Sequence, residues 1–312
     1  MTNNQRPDRT KKSHIVPQNY LKRFSSDGTS LWVFDKVSGK TYRASIKDVA
    51  QDRGFYEISA GELENQDNSQ AVEKYLANLE GTYRQVVDEL LERYITEGLP
   101  DELRQPLAFF IALQALRTQE VRSRLNQFAT ASPDDLYTRA MRDGYVGPLP
   151  ERELLEQLKT LSEAEKHATF LDPMNIFLVA EQLVNFIWLI GVHTDESYPL
   201  YTSDNPVVAQ ANKANDKLFG TGGLAAEGTE IILPLTPCVT LWLKERKWFA
   251  EHSSLDSSVI SLSKDNIDCC NSFQISNAVR QVYCGTDFFD FARYYCDQVP
   301  AAVDPDRFNI GL

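Results

Sequence analysis

The hydrophobic period of this chain changes twice, and those changes restrict its fold more than any other feature. From Ser69 apolar side chains recur at helical spacing: Val72, Leu76, Leu79, Tyr83, Val86, Val87 and Leu90 form one stripe, which ends at Gly98-Leu99-Pro100. Further helices are expected over about 101–128, 151–169 and 173–191, while 132–150, rich in Asp, Gly and Pro, reads as a loop or short helix. Ahead of this block, SLWVFDK and KTYRAS flank Val37-Ser38-Gly39, a hairpin signal. A short helix is expected from about Pro17 to Phe24, and an extended segment over Phe55–Ile58. From Tyr198 the strand pattern returns, with candidates at 198–203, 230–235, 240–244 and 279–284, a helix over 263–276 and a Gly-rich loop over 209–228. Helices inserted between strands in this way indicate an α+β fold, with an α-rich central layer, an N-terminal β-hairpin and C-terminal strands forming a mainly antiparallel sheet. The expected organisation is a basic polar tail over 1–13 and a single domain over 14–312, its helical part at about 69–191 and its strand-rich part at about 198–300.

With 312 residues the chain can bury a large core without disulfides or a structural metal. Its net charge of −12 argues against broad coating of nucleic acid or anionic membrane. Charge is uneven, however. Arg6, Arg9, Lys11, Lys12, Lys22 and Arg23 face only Asp8 within the first 24 residues, which reads first as a solvated basic tail and alternatively as an anion-attracting lip beside a site on an otherwise acidic protein. No secretory pattern is recognised at the start, and a cytoplasmic protein is expected. The apolar run Ile176–Ile190 contains Glu181, Gln182 and Asn185 and is too short to span a bilayer, so it reads as a buried helix and no membrane partner is expected. Cys238, Cys269, Cys270, Cys284 and Cys296 contain no CxxC pair and read as reduced structural thiols, with Cys269 and Cys270 in a helix core.

Three constellations could carry chemistry. His14 lies in SHIVPQNY one turn from Gln18, where an imidazole that titrates near neutrality can serve as general acid or base or can simply anchor a helix start. Gln114 and Arg117 share a face of an otherwise apolar helix, so Arg117 must meet a ligand anion or an internal carboxylate, with Glu73 and Glu80 as candidates. Thr202-Ser203-Asp204-Asn205-Pro206 ends a strand, where Asp204 can orient His14, hold a metal or close a turn. His167, His193 and His252 stand alone and read as surface histidines. Ser203 lacks the GxSxG context of a hydrolase nucleophile, and the glycines near Gly220 lack the context of a phosphate-binding loop.

HIVPQNYLKRF, FYEI, the paired glutamates, FFIALQALRT, YTSDNPV, ILPLTP and NSFQISNAVRQVYC, in this order, resemble the domain of unknown function 4238 family over nearly the whole chain. HxVPxxYLxxF and TSDNP are the most specific parts. Gln119 stands where a proline is common, which predicts an uninterrupted helix at that point. The resemblance implies a polar site made of His14, Gln18, Arg117, Asp204 and Asn205, with Asn271, and Gln114 joins it from the helix face.

The reaction these residues suit best is hydrolysis of a phosphodiester by an intracellular bacterial, nuclease-like effector in conflict with phages or competitors. His14 would be the general acid/base, Arg117 would hold the phosphate, and Asp204 would orient His14 or a water on a divalent metal. The partner would be nucleic acid or another phosphate-bearing substrate. The alternative is a noncatalytic module binding a small ligand or a protein partner.

Overall fold

The computed structural model describes residues 12–53, 55, 71–142, 151–212 and 224–304. Expectations that fall elsewhere, including most of the basic tail, FYEI beyond Phe55 and the glycines at 220, 222 and 223, lie outside the described residues. The chain opens with β1 (Lys12–His14), α1 (Gln18–Leu21), β2 (Ser30–Asp35), β3 (Lys40–Ser45) and β4 (Gln51–Arg53). A helical block follows: α2 (Ala71–Glu89), extended by a π turn over Leu90–Tyr94, then α3 (Asp101–Leu116), α4 (Gln119–Thr130), α5 (Pro133–Arg142), α6 (Arg152–Thr160), α7 (Glu163–Phe170) and α8 (Pro173–Val184). The remainder is β5 (Ile187–Val192), β6 (Thr202–Ser203), β7 (Val208–Ala211), β8 (Thr229–Thr236), β9 (Val239–Lys244), β10 (Val259–Ser261), α9 (Lys264–Asn277), β11 (Gln281–Cys284) and α10 (Asp290–Gln298).

The strands form three sheets: β1 with β4, a five-stranded sheet in the order β10-β5-β9-β8-β7, and a four-stranded sheet in the order β3-β2-β11-β6. Among the described residues the β10–β5 pair is parallel and the other pairings are antiparallel. The fold is therefore α+β. The hairpin β2–β3 turns at Gly39, whose φ of +68° costs a glycine little. Asp35 locks that turn by accepting from the Val37 and Ser38 amides at 3.1 and 3.0 Å.

Three helix expectations are corrected. Ile176–Ile190 is not one helix: α8 ends at the Asn185 cap, and Ile187–Val192 continues as a strand buried along nearly its whole length. A continuous apolar run suits either state, and here β-branched Ile187 and Ile190 with Trp188 fit the sheet centre. The helix expected over 101–128 breaks at Arg117-Thr118. Thr118 Oγ1 accepts from the Val121 amide at 3.4 Å and so starts α4 as a capping residue, without any proline. The segment 151–169 is also two helices, because Ser162 and Glu165 make a reciprocal capping box at the start of α7.

The core sits between the helices and the five-stranded sheet, with α3 and α8 packed together and Trp188 wholly buried. Arg104 near the start of α3 is held by Asp256 at 2.9 Å and by Ser257 Oγ at 2.6 Å, which ties that helix end to the segment leading into β10. Among the described residues no helix is long and apolar enough to cross a membrane.

Candidate functional site

The HxVPxxYL segment folds around Arg117. β1 pairs with β4, with His14 opposite Gln51, and the Ile15 amide donates to Ala50 O at 2.9 Å, so His14 and Ile15 present their carbonyls inward. Arg117, the C-terminal cap of α3, is 2% exposed. Its Nη2 donates to His14 O at 2.5 Å and its Nη1 to Glu80 Oε1 at 2.8 Å, while Gln114 one turn earlier donates to Ile15 O at 3.2 Å. The carboxylate partner is thus Glu80 on α2, and the side chain of Glu73 lies outside the described ones. A guanidinium buried to this degree has to spend its donors inside the protein or leave a costly orphaned charge.

His14 itself is half-buried, with its Nε2 atom inaccessible to solvent. Gln18, the first residue of α1, places Nε2 at 3.5 Å from His14 Nδ1. In the neutral tautomer that accepts at Nδ1, the ring proton is on Nε2. The structure therefore brings His14, Gln18, Gln114 and Arg117 together.

Asp204 and Asn271 belong to a second arrangement. The Asp204 carboxylate accepts from the amides of Val279, Arg280 and Gln281 at 2.7, 2.8 and 2.8 Å, closing the approach to β11. Burial nevertheless pushes its carboxyl above the ordinary range, with those three amides pulling the other way. Its described hydrogen bonds all run to that backbone, so the expected Asp204–His14 couple is not among them. Asn271 on α9 accepts from the Tyr201 amide at 2.7 Å and donates to Pro199 O at 3.0 Å. Gln274, one turn on, accepts from Ser203 Oγ at 2.8 Å and donates to Pro206 O at 2.8 Å. The whole TSDNP segment is thereby strapped to α9.

Asn205 connects the two arrangements, donating to Glu120 Oε2 at 2.6 Å and to Asn277 O at 3.1 Å. Glu120 lies in the first turn of α4, just past Arg117, and also pairs with Arg124 at 2.8 Å. Sequence reasoning does not single out Glu120; the Thr118-Gln119-Glu120 run, a cap followed by an acidic first turn, is the signal that could have found it.

Two histidines expected at the surface are buried. His167, at 1% exposure, joins Leu116 O through Nε2 at 2.8 Å and packs edge-on against Phe55, whose other neighbour is the Arg122 guanidinium. Burial, reinforced by Arg122 and Arg117, pushes its pKa down to about 4. His193 is likewise buried and joins Pro237 O at 2.8 Å. Lone histidines in polar stretches carry no sequence mark of burial, which here comes from tertiary packing. His252 keeps a side chain 38% exposed.

Toward the other end of α3, beside the segment that leads into that helix, lies an open cleft of about 790 Å³. Ile95 and Thr96 line it ahead of the helix, with Val192 of β5 and His193–Asp195 just after it, β10, Lys264 and Ile267 of α9, and Phe288. Its walls combine apolar side chains with a few polar groups, the composition of ligand sites. Tyr198 closes one side, its hydroxyl donating to Asp268 and its ring lying 4.9 Å from Lys264 Nζ.

A family model described as "Protein of unknown function (DUF4238)" matches residues 12–288. The chain belongs to the DUF4238 family. The DUF4238 match takes in the Arg117 cluster, the TSDNP strap and all the cleft residues through Phe288, and stops just before α10. No curated protein and no solved structure matches the chain. Among the described residues of this DUF4238 chain, no group of three or more His, Cys, Asp or Glu side chains is placed to hold a metal ion.

Proposed function

We propose that this DUF4238 chain is a noncatalytic binding module that takes its ligand or partner into the cleft at the N-terminal end of α3. One contrast between the ends of that helix carries the reading. At the C-terminal end the groups suited to chemistry are engaged within the protein: Arg117 by Glu80 and His14 O, Asp204 by three backbone amides. At the N-terminal end an open volume of about 790 Å³ faces outward with mixed apolar and polar walls. A group already satisfied inside the fold gains little by turning to a ligand, whereas a concave, partly apolar surface gains by being covered.

The test is thermal denaturation of the purified chain against a collection of small molecules and peptides, with Ile260→Arg as the control that fills the cleft. A ligand at a hundred times its Kd should stabilise the parent by about 2.7 kcal/mol, be recovered unchanged, and give no shift with Ile260→Arg. Stabilisation that survives the substitution would remove the cleft from the reading.

A second reading, phosphodiester hydrolysis by a nuclease-like protein, draws support from the Gln18–His14 contact, which holds one face of the imidazole as a proton-transfer group requires. Incubation of the parent and His14→Ala proteins with labelled RNA, single-stranded DNA and duplex DNA, with and without divalent metal, decides it. Cleavage by the parent alone establishes this reading, and no cleavage by either removes it.

A further inference from the structure

β10 is the outer strand of the five-stranded sheet among the described residues, and Val259, Ile260 and Ser261 all line the cleft. The parallel ladder determines which of its backbone groups face which way. Ser258 O accepts from the Ile190 amide at 3.0 Å and the Leu262 amide donates to Val192 O at 2.8 Å, with Val259 opposite Ile190 and Ser261 opposite Val192. In such a ladder the alternate residues bond the neighbour, so Val259 and Ser261 turn their N–H and C=O groups away from β5. Among the described residues no hydrogen bond is made to those four groups, and Ser261 is exposed. Folded proteins ordinarily blunt such an edge with proline, a bulge or a covering element, because an unpaired strand recruits another strand. Among the described residues none of these covers β10.

The same place is acidic. Lys264 and Asp195 offset each other within the lining, but Glu97, Glu196 and Asp265, each next in sequence to a lining residue and exposed, add negative charge. The field reaches neighbouring groups: burial pushes the Cys238 thiol up, and Glu196 and Asp195 add to the shift.

We infer that β10 and its cleft receive an extended segment of a partner protein in which apolar and basic residues alternate, added to the sheet as a sixth strand. This rests on the binding-module reading and names its occupant. Main-chain bonds to Val259 and Ser261 supply affinity, and the cleft beside them takes alternate side chains, as in other cases of strand addition. Basic residues of the segment are matched by the acidic groups that rim the cleft, Glu97, Glu196 and Asp265.

The experiment uses the full chain and a blocked, fluorescein-labelled octapeptide of alternating valine and lysine, read by fluorescence anisotropy. Four comparisons accompany it: the same peptide N-methylated at alternate residues, a valine–glutamate peptide, and the Ser261→Pro and Glu196→Lys proteins. Proline at an outward-facing edge position removes one donor and leaves the β5 ladder intact, so the melting temperature of Ser261→Pro should stay close to the parent's. Binding of the valine–lysine peptide, weakened about tenfold or more by N-methylation and by Ser261→Pro, supports the inference. Absence of binding by the glutamate peptide, and loss of affinity in Glu196→Lys, support the charge assignment. No binding of the valine–lysine peptide, or binding indifferent to both backbone changes, overturns it. If small molecules then stabilise the chain in an Ile260-dependent way, strand addition is wrong and the binding-module reading stands. If nothing enters the cleft, both fall.

Discussion

Arg117 donates to the carbonyl oxygen of His14, 103 residues earlier in the chain, and the same guanidinium holds Glu80. One side chain thus joins the first strand, the first long helix and the break between α3 and α4. Arg117→Ala is expected to destabilise the protein by about 3 kcal/mol or more, because it strands a largely buried carboxylate and an inward carbonyl. Urea denaturation monitored by tryptophan fluorescence measures this. A variant as stable as the parent would show that the pair contributes nothing to the fold.

Asp204 and His14 share no described hydrogen-bond partner, so their substitutions should act independently on stability. In a double-mutant cycle of Asp204→Asn and His14→Ala, the coupling energy should lie within about 0.5 kcal/mol of zero. Asp204→Asn alone should cost roughly 1 to 3 kcal/mol, since a carboxamide replaces one of the accepting oxygens. A coupling of 1 kcal/mol or more would mean that Asp204 does act on His14.

His167 gives the fold an acid-sensitive point. Its pKa of about 4 in the folded state lies below the ordinary histidine value, so the unfolded chain takes up a proton that the folded chain refuses. The associated stability is complete above about pH 6.5 and is lost as pH falls toward 4, amounting to roughly 2 to 3 kcal/mol. Unfolding free energies measured between pH 7.5 and 4.5 should fall less steeply in His167→Gln than in the parent. Parallel slopes would show that His167 does not carry the acid sensitivity.

Gly98 closes the turn from α2 into α3 at a φ of +103°, where an added Cβ would stand 2.6 Å from the carbonyl oxygen of Ser257. Ser257 O also receives the Leu99 amide at 2.8 Å, so the clash cannot be relieved without moving the segment that leads into β10. Gly98→Ala should cost about 1 to 3 kcal/mol and lower affinity for any occupant of the cleft. Calorimetry of the free and liganded variant checks both effects.

The α+β class and the hairpin at Gly39 are legible in the sequence because each rests on local pattern, period and turn residues; the need of a buried Arg117 for a carboxylate is legible too, but the choice of Glu80 over Glu73 comes only from the packing of α2 on α3. The clustering of His14, Gln18, Gln114 and Arg117 follows from the family resemblance together with helical spacing. The break at Thr118 is not anticipated because a capping threonine inside an apolar helix looks like any other polar residue until the chain turns there. The burial of His167 and His193 is set by elements far away in the chain. The cleft is invisible for the same reason: Ile95, Val192, Ile260 and Phe288 are ordinary apolar residues until packing leaves space between them. The role of Asp204 depends on where residues 279–281 return, which no local pattern encodes.

The pairing of β2 with β11 spans most of the chain: Trp32 lies opposite Cys284 and Asp35 opposite Gln281. Lys36, at the end of that hairpin, donates to Ile275 O at 2.6 Å, so its charge is also seated by a late element. At ribosomal speeds of about 5 to 20 residues per second, the first hairpin emerges on the order of ten seconds or more before its neighbour exists. Until then its inner face and one strand edge stay uncovered. The protein completes its fold only when β11 is delivered to β2, which makes the newborn chain, rather than the finished one, the form most in need of a chaperone.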